Sequence, residues 1–318
     1  MPGSTSMEST LNQTSPPRVL IVGARSVRQG TGPFLAAGLA AAGADICGIV
    51  GTSDRSVQDA LSGLAGEWNI KTRGFTDLAT ALEVLEPDAV TLCSPWRFHA
   101  EQLSVVAAAG CHCLVEKPMA WPARQADAEQ LIAAYEQRGL LLQMVAQWPT
   151  TLAAFEALHG QLPGDISHFG MRLSPISIGQ EMITDSAPHF ISMLQALAGT
   201  GDCENCAMEV EQATGKLALS CQYRHALGTV NARLLLETCE QRPRPAWYEI
   251  NGLRADRVVS LPDYRQSLAS AAARVDFADP LHQVAAAFLA ALAQGSSTDG
   301  ATLRSAHRNL LQLAAVWR

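Results

Sequence analysis

The sequence predicts an α/β protein, with a doubly wound parallel sheet at its N-terminal end and a C-terminal α+β domain built on an antiparallel sheet. Three observations lead there. The run Arg18-Val-Leu-Ile-Val22 is β-branched and unalternating and stops at Gly23, as a strand buried on both faces and feeding a tight turn should. Strand-like and helix-like segments then alternate regularly to about residue 147, the pattern of parallel βα units. Beyond that point strands follow one another through short turns, several with Gly, which marks antiparallel pairing. The resulting division is a disordered tail over 1–17, the doubly wound domain over 18–147 and the α+β domain over 148–318.

After the first strand, residues 33–42 read as a helix and 45–50 as a second strand, a βαβ unit of about the usual 30 residues. Helices at 57–68 and 77–85, a strand at 89–93, a strand at 111–115, a helix at 123–138 and a strand at 140–145 continue the alternation. In the second domain the strands are expected at 166–173, 207–211, 216–223, 227–236 and 247–251, with helices at 185–197, 280–293 and 301–317.

Composition bounds the function. A chain of 318 residues is about two domains, and 48% apolar with 17% charged residues is far from the disordered corner. The net charge of −7 leaves no electrostatic footprint for nucleic acid or an anionic membrane. No apolar run approaches the ~20 residues of a spanning helix, the longest being interrupted by Gly38 and Gly43. The first 17 residues lack the basic start and apolar middle of a signal peptide, so a cytoplasmic location is expected. The eight cysteines are then expected to be reduced. Cys203-Glu-Asn-Cys206 has redox or zinc spacing, but no second pair or His lies nearby and no metal is expected.

The first glycine-rich loop contains Gly23, Ala24, Arg25, Gly30, Thr31 and Gly32, between a buried strand and a helix. A dinucleotide site needs that placement, because glycines let backbone approach a pyrophosphate and the helix N-terminus offers free N–H groups. The spacing is longer than the usual G-x-G-x-x-G. Arg25 and Arg28 either add charge to the phosphate site or are solvated on the longer loop. The second strand ends at Gly51-Thr52-Ser53-Asp54-Arg55. An NAD site usually has an acidic residue at this strand end, and here Thr52, Ser53 and Arg55 favour NADP. NAD remains the alternative if Asp54 takes the acidic role and Arg55 faces solvent.

The most specific signal is Ser94-Pro95-Trp96-Arg97-Phe98-His99 after the strand at 89–93, followed by Glu116-Lys117-Pro118 after the strand at 111–115. In these segments the chain resembles the glucose-fructose oxidoreductase/inositol dehydrogenase (Gfo/Idh/MocA) family, which carries Thr/Ser-Pro-x-x-x-His and Glu-Lys-Pro motifs here. The resemblance is closest over 18–147. It implies a Rossmann domain that binds NAD(P), with Ser94, Pro95, His99, Glu116 and Lys117 at the cofactor crevice, and a second domain that contacts substrate and often forms an oligomer face. His99 has the alternative of simply capping the helix it begins.

Chemistry supports Lys117 independently. A lysine at the carboxyl end of a parallel strand reaches the crevice, where an ammonium can hydrogen-bond a substrate oxygen and stabilise developing charge. Asp185 and His189 are four apart, on one helix face, so the carboxylate could orient an imidazole suited to proton exchange. The family has a similar Asp-x-x-x-His segment at a helix start, where Pro188 would be tolerated in a first turn.

One departure matters. Many family members have an aromatic-Arg pair after the sixth strand, whereas this chain has Ala146-Gln147-Trp148-Pro149, so that polar anchor is missing and a sugar substrate is in doubt. Trp148 is expected to offer an apolar wall for a substrate ring.

The expected activity is NAD(P)-dependent hydride transfer to or from a secondary alcohol/ketone of a small molecule, with Lys117, His189 and Asp185 catalytic, and Trp148, Lys117 and His189 on the substrate. The alternatives are a biosynthetic imine reductase and a non-catalytic NAD(P) sensor. Apolar alternation at Leu217, Leu219, Cys221 and Tyr223 is expected to need burial in a homodimer or homotetramer.

Overall fold

The computed structural model describes residues 15–26, 30–211, 216–261 and 264–317. Its N-terminal part follows the βα rhythm: β1 (Arg18–Val22), α1 (Gly32–Ala41), β2 (Asp45–Val50), α2 (Asp54–Trp68), β3 (Arg73–Phe75), α3 (Leu78–Leu85), β4 (Ala89–Leu92), α4 (His99–Ala108), β5 (His112–Val115), α5 (Gln125–Gln137) and β6 (Leu142–Met144). The six strands are parallel in the order β3-β2-β1-β4-β5-β6. The order reverses between β1 and β4, and a doubly wound sheet opens its ligand crevice at such a reversal. Apolar strands fill both faces: Leu20, Val22, Val90, Leu92, Cys113 and Val115 on one side, Val19, Ile21, Ile49 and Leu114 on the other. Ser53 and Ser56 form a reciprocal capping box that fixes the start of α2 beside the crevice.

The second part contains α6 (Leu152–His159), β7 (His168–Leu173), α7 (Gln180–Ala198), β8 (Gly201–Glu211), β9 (Lys216–His225), β10 (Gly228–Leu236), β11 (Trp247–Ile250), β12 (Leu253–Ser260), β13 (Arg265–Ala269), β14 (Arg274–Phe277), α8 (Pro280–Ala293) and α9 (Gly300–Ala314). Its eight-stranded sheet has the order β14-β13-β12-β11-β7-β10-β9-β8. The sheet is mixed rather than purely antiparallel, because β7 and β10 pair in parallel. The α7 crossover causes this: it returns the chain so that β8, and β10 two hairpins later, run in the direction of β7.

Four expectations change. Strands β12 to β14 and helix α6 carry no clean apolar alternation and escape a sequence reading. Helix α7 starts at Gln180, so Pro188 lies in its interior rather than its first turn. Helix α8, assigned by sequence position to the second domain, packs instead on α1: Val284, Ala285, Phe288 and Leu289 join the core around Leu35 and Leu39. Leu217, Leu219, Cys221 and Tyr223 are already buried within the chain against α7 and α9, so the burial argument for an oligomer fails. Among the described residues, no helix is long and apolar enough to cross a membrane and no group of His, Cys, Asp or Glu could hold a metal ion.

Candidate active site

The cradle at the β1–β4 crevice is set by two glycines. Gly23 has φ +87°, and a Cβ there would lie 2.8 Å from the Cys93 carbonyl oxygen. At Gly32 a Cβ would fall 2.2 Å from the Gly23 carbonyl oxygen, so only glycine lets α1 start this close to the strand end. Thr31 occupies the N-cap without a side-chain cap bond, and the first turn of α1 has no acidic residue. Among the described residues the Gly32 and Phe34 amides have no partner, Pro33 having no N–H, and with the helix dipole they give a glycine cradle that fits a dinucleotide pyrophosphate. Gly30 and Ala24 flank the cradle, and Arg28 lies outside the described residues.

Arg25 pairs with Asp59 of α2 at 2.9 Å, which removes it from the role of a free phosphate ligand. Thr52, Ser53 and Arg55 are exposed at the end of β2 and the start of α2. Arg55 has no hydrogen-bond or ion-pair partner among the described residues. The Ser53 hydroxyl accepts from the Ser56 amide at 3.3 Å, leaving its own proton free to donate.

The turns after β4 and β5 are braced together by His99. Its Nδ1 lies 2.9 Å from the Pro118 carbonyl oxygen and its Nε2 lies 2.8 Å from the Ser94 carbonyl oxygen. The ring is fully buried, so His99 positions the two turns and does not present a nitrogen to a cofactor. The Ser94 hydroxyl donates to Gln102 Oε1 at 2.5 Å, and Pro95 leads into a single 3-10 turn over Trp96–Phe98. Glu116 is buried and its Oε2 accepts from the Lys117 amide at 3.1 Å, a second brace on the same turn.

Lys117 leaves the carboxyl end of β5 through a cis Lys117–Pro118 bond and its Nζ donates to the Asp185 main-chain carbonyl at 2.8 Å. Pro188 has no N–H to give the Thr184 carbonyl, which breaks the ordinary helical bonding one residue before this contact. The two domains therefore meet here, 68 residues apart in sequence. His189 is close enough for the Lys117 and Arg257 charges to act on it; burial first, then those two cations, hold its pKa well below the usual 6.5. The expected Asp185–His189 bond is absent: His189 Nδ1 is buried without a hydrogen-bond partner.

Two further corrections concern the substrate side. Trp148 is only 3% exposed, edge-on to Tyr248 at 6.1 Å between ring centroids, and belongs to the second-domain core, so it is not an open stacking wall. The polar group missing from the sequence around Trp148 arrives from elsewhere: the Arg257 guanidinium of β12 lies 5.4 Å from the Trp148 ring centroid. Sequence reasoning missed Arg257 because β12 was not recognised. The available signal is a cation two residues from buried Ala255, hence on the inward face of a strand.

The fold and cradle are those of a two-domain, dinucleotide-binding class. Residues 17–146 match the family described as an oxidoreductase family with an NAD-binding Rossmann fold. Over that segment, about two fifths of its length, the chain is similar to the Gfo/Idh/MocA oxidoreductases. It is 38% identical over 95 residues to a 4-carboxy-2-hydroxymuconate-6-semialdehyde dehydrogenase of Sphingobium sp., a match covering 29% of this chain and 28% of that protein. The chain thus spans little more than a quarter of that curated relative. Along nearly the whole chain the fold is similar to UDP-N-acetylglucosamine 3-dehydrogenase from Acidithiobacillus ferrooxidans (TM-score 0.70, 20% identity, 94% and 97% of the two chains). It is likewise similar to scyllo-inositol dehydrogenase from Lactobacillus casei, solved with NAD(H) and scyllo-inositol (TM-score 0.71, 16% identity, 95% and 97%).

Proposed function

We propose that the chain is an NADP-dependent dehydrogenase/reductase acting on a secondary alcohol or ketone carbon of a small molecule. The observation that carries this reading is the meeting of Lys117 with the Asp185–His189 segment of α7 at the carboxyl end of β5, beside the glycine cradle. The Gly23–Gly32 cradle would hold a nicotinamide dinucleotide, which would supply the hydride acceptor for oxidation or the donor for reduction. Lys117 hydrogen-bonds the substrate oxygen and stabilises its developing negative charge. His189, neutral at pH 7, accepts the hydroxyl proton in oxidation and gives it back in reduction. Asp185, four residues earlier, bears an unpaired carboxylate among the described residues, available to turn toward the imidazolium formed during the reaction. Cytoplasmic location and homo-oligomeric assembly belong to the same proposal.

The choice of NADP rests on exposed, unpartnered Arg55 beside Thr52 and Ser53. A charge-assisted contact to a 2′-phosphate is worth about 1.5–3 kcal/mol, or roughly tenfold or more in affinity. Fluorescence titration should give tighter binding of NADPH than NADH, and Arg55→Ala should weaken NADPH by roughly tenfold while leaving NADH unchanged. Equal wild-type affinities would remove the NADP preference.

A further inference from the structure

Arg257 is the cation beside Trp148 that the hydride-transfer reading leaves without a task. Its guanidinium lies against Trp148, and Nη2 donates to the Arg244 main-chain carbonyl at 3.1 Å. Nε is sealed from solvent and has no hydrogen-bond partner. The side chains acting on this charge are Tyr264 and Arg244, and among the described residues no carboxylate pairs with it. A half-buried guanidinium whose Nε is sealed and which has no counter-ion among the described residues is stabilised by a ligand that supplies the missing charge. Trp148 follows the carboxyl end of β6, the neighbour of β5 that carries Lys117, so the guanidinium stands at the same end of the parallel sheet as Lys117, and its charge acts on His189.

We infer that the substrate carries an anionic oxygen group, a carboxylate or a phosphate, held by Arg257 while its reacting carbon is presented to Lys117 and His189. This rests on the dehydrogenase/reductase reading above. A neutral hydroxyl would use the free Nε–H but leave the buried charge uncompensated, whereas an oxyanion answers both. The cofactor phosphates do not compete for this role, since their cradle is at the N-terminus of α1 and their 2′-end is at α2. Binding the anion also offsets one of the two cations pressing on His189, so the imidazole becomes a better proton acceptor when substrate is seated.

Calorimetric titration of the NADPH-loaded protein with L-tartrate, with inorganic phosphate and with uncharged L-threitol tests this. Tartrate or phosphate should bind and threitol should not, and the stronger of the two anions tells carboxylate from phosphate. Arg257→Met should weaken anion binding by roughly tenfold or more. Arg257→Lys, which keeps the charge without the fork, should lose less. Without ligand, Arg257→Met should melt no lower than the wild type, because the unpaired charge is gone and the stem is kept. Equal anion binding by wild type and Arg257→Met, no anion binding by the wild type, threitol binding as well as tartrate, or a lowered melting temperature of ligand-free Arg257→Met would overturn the inference. NADPH fluorescence in the same samples separates the two levels: a wild type that binds no NADPH sinks the dehydrogenase/reductase reading, while NADPH binding without an anion response sinks only the role of Arg257.

Discussion

His189 shows how a residue is tuned by neighbours that sequence spacing does not name. Its spacing to Asp185 suggested an acidic partner, yet in the folded chain its surroundings are apolar burial and the cations Lys117 and Arg257. All three favour the neutral imidazole. If it exchanges the proton, His189→Ala should lower turnover by roughly 10² to 10⁴ and leave NADPH affinity nearly unchanged. Lys117→Ala should do at least as much harm, and Lys117→Arg should rescue only partly, since a planar fork does not replace a compact ammonium at one oxygen. Retained turnover in His189→Ala removes it from the chemistry. The same depressed pKa makes a stability prediction. The unfolded chain binds this proton more readily than the folded one, so the stabilising contribution is complete above about pH 6.5 and is lost as pH falls toward the folded value. Burial shifts His99, His112 and His307 in the same direction. The melting temperature should therefore drop between about pH 7 and 5, and His189→Gln should flatten part of that slope. A variant with the wild-type slope would contradict the assignment. Lys117 and His189 were legible as candidates because their motifs are local. Arg257 and the brace formed by His99 were not, because each is defined by partners far away in sequence.

At the scale of elements, the contact between α1 and α8 decides where α8 belongs. A Cβ on Gly38 would lie 2.9 Å from the His282 Cα and 3.0 Å from the Ala285 Cβ, so the two helices approach through the missing side chain. Phe34, Trp68 and His282 extend this contact as an edge-on aromatic row, with centroids 5.8 and 6.2 Å apart. Gly38→Val should force the helices apart and cost about 1–3 kcal/mol, measured as a lowered denaturant midpoint. An unchanged midpoint would show that α8 is held by other contacts. Gly38 in the sequence looks like an interruption of an apolar run, and its use depends on a helix some 240 residues downstream. The first-domain elements were readable because strands buried on both faces are written as continuous apolar runs. Strands β12 to β14 were not, because they are partly exposed and Arg, Asp and Ser interrupt their apolar residues before any alternation is sustained.

For the whole molecule, the β9–β10 part of the larger sheet has one face buried against α7 and α9 and the other exposed. The free face is polar: Ser220, Gln222 and Arg224 of β9 and Thr229, Asn231 and Arg233 of β10 are exposed on it. Arg224 pairs with Glu204 at 2.9 Å and Arg233 with Glu209 at 3.2 Å. Charges of both signs in rows can match a second copy about a two-fold axis, and such an interface is weakened by salt. Light scattering should give at least twice the 33.9 kDa chain mass at low salt and a smaller species as salt rises. A monomer at micromolar concentration and low salt would contradict assembly through this face. The sequence by itself determined the doubly wound domain, its glycine cradle and the turn that carries Lys117, since strand periodicity, turn residues and helix starts depend on neighbours a few positions apart. Only the tertiary structure decided that β7 and β10 run parallel, that α8 returns to the first domain, that Trp148 is sealed in a core and that Arg257 stands beside it. Those outcomes depend on which surfaces are buried against each other, and burial is a property of the assembled chain rather than of any segment of it.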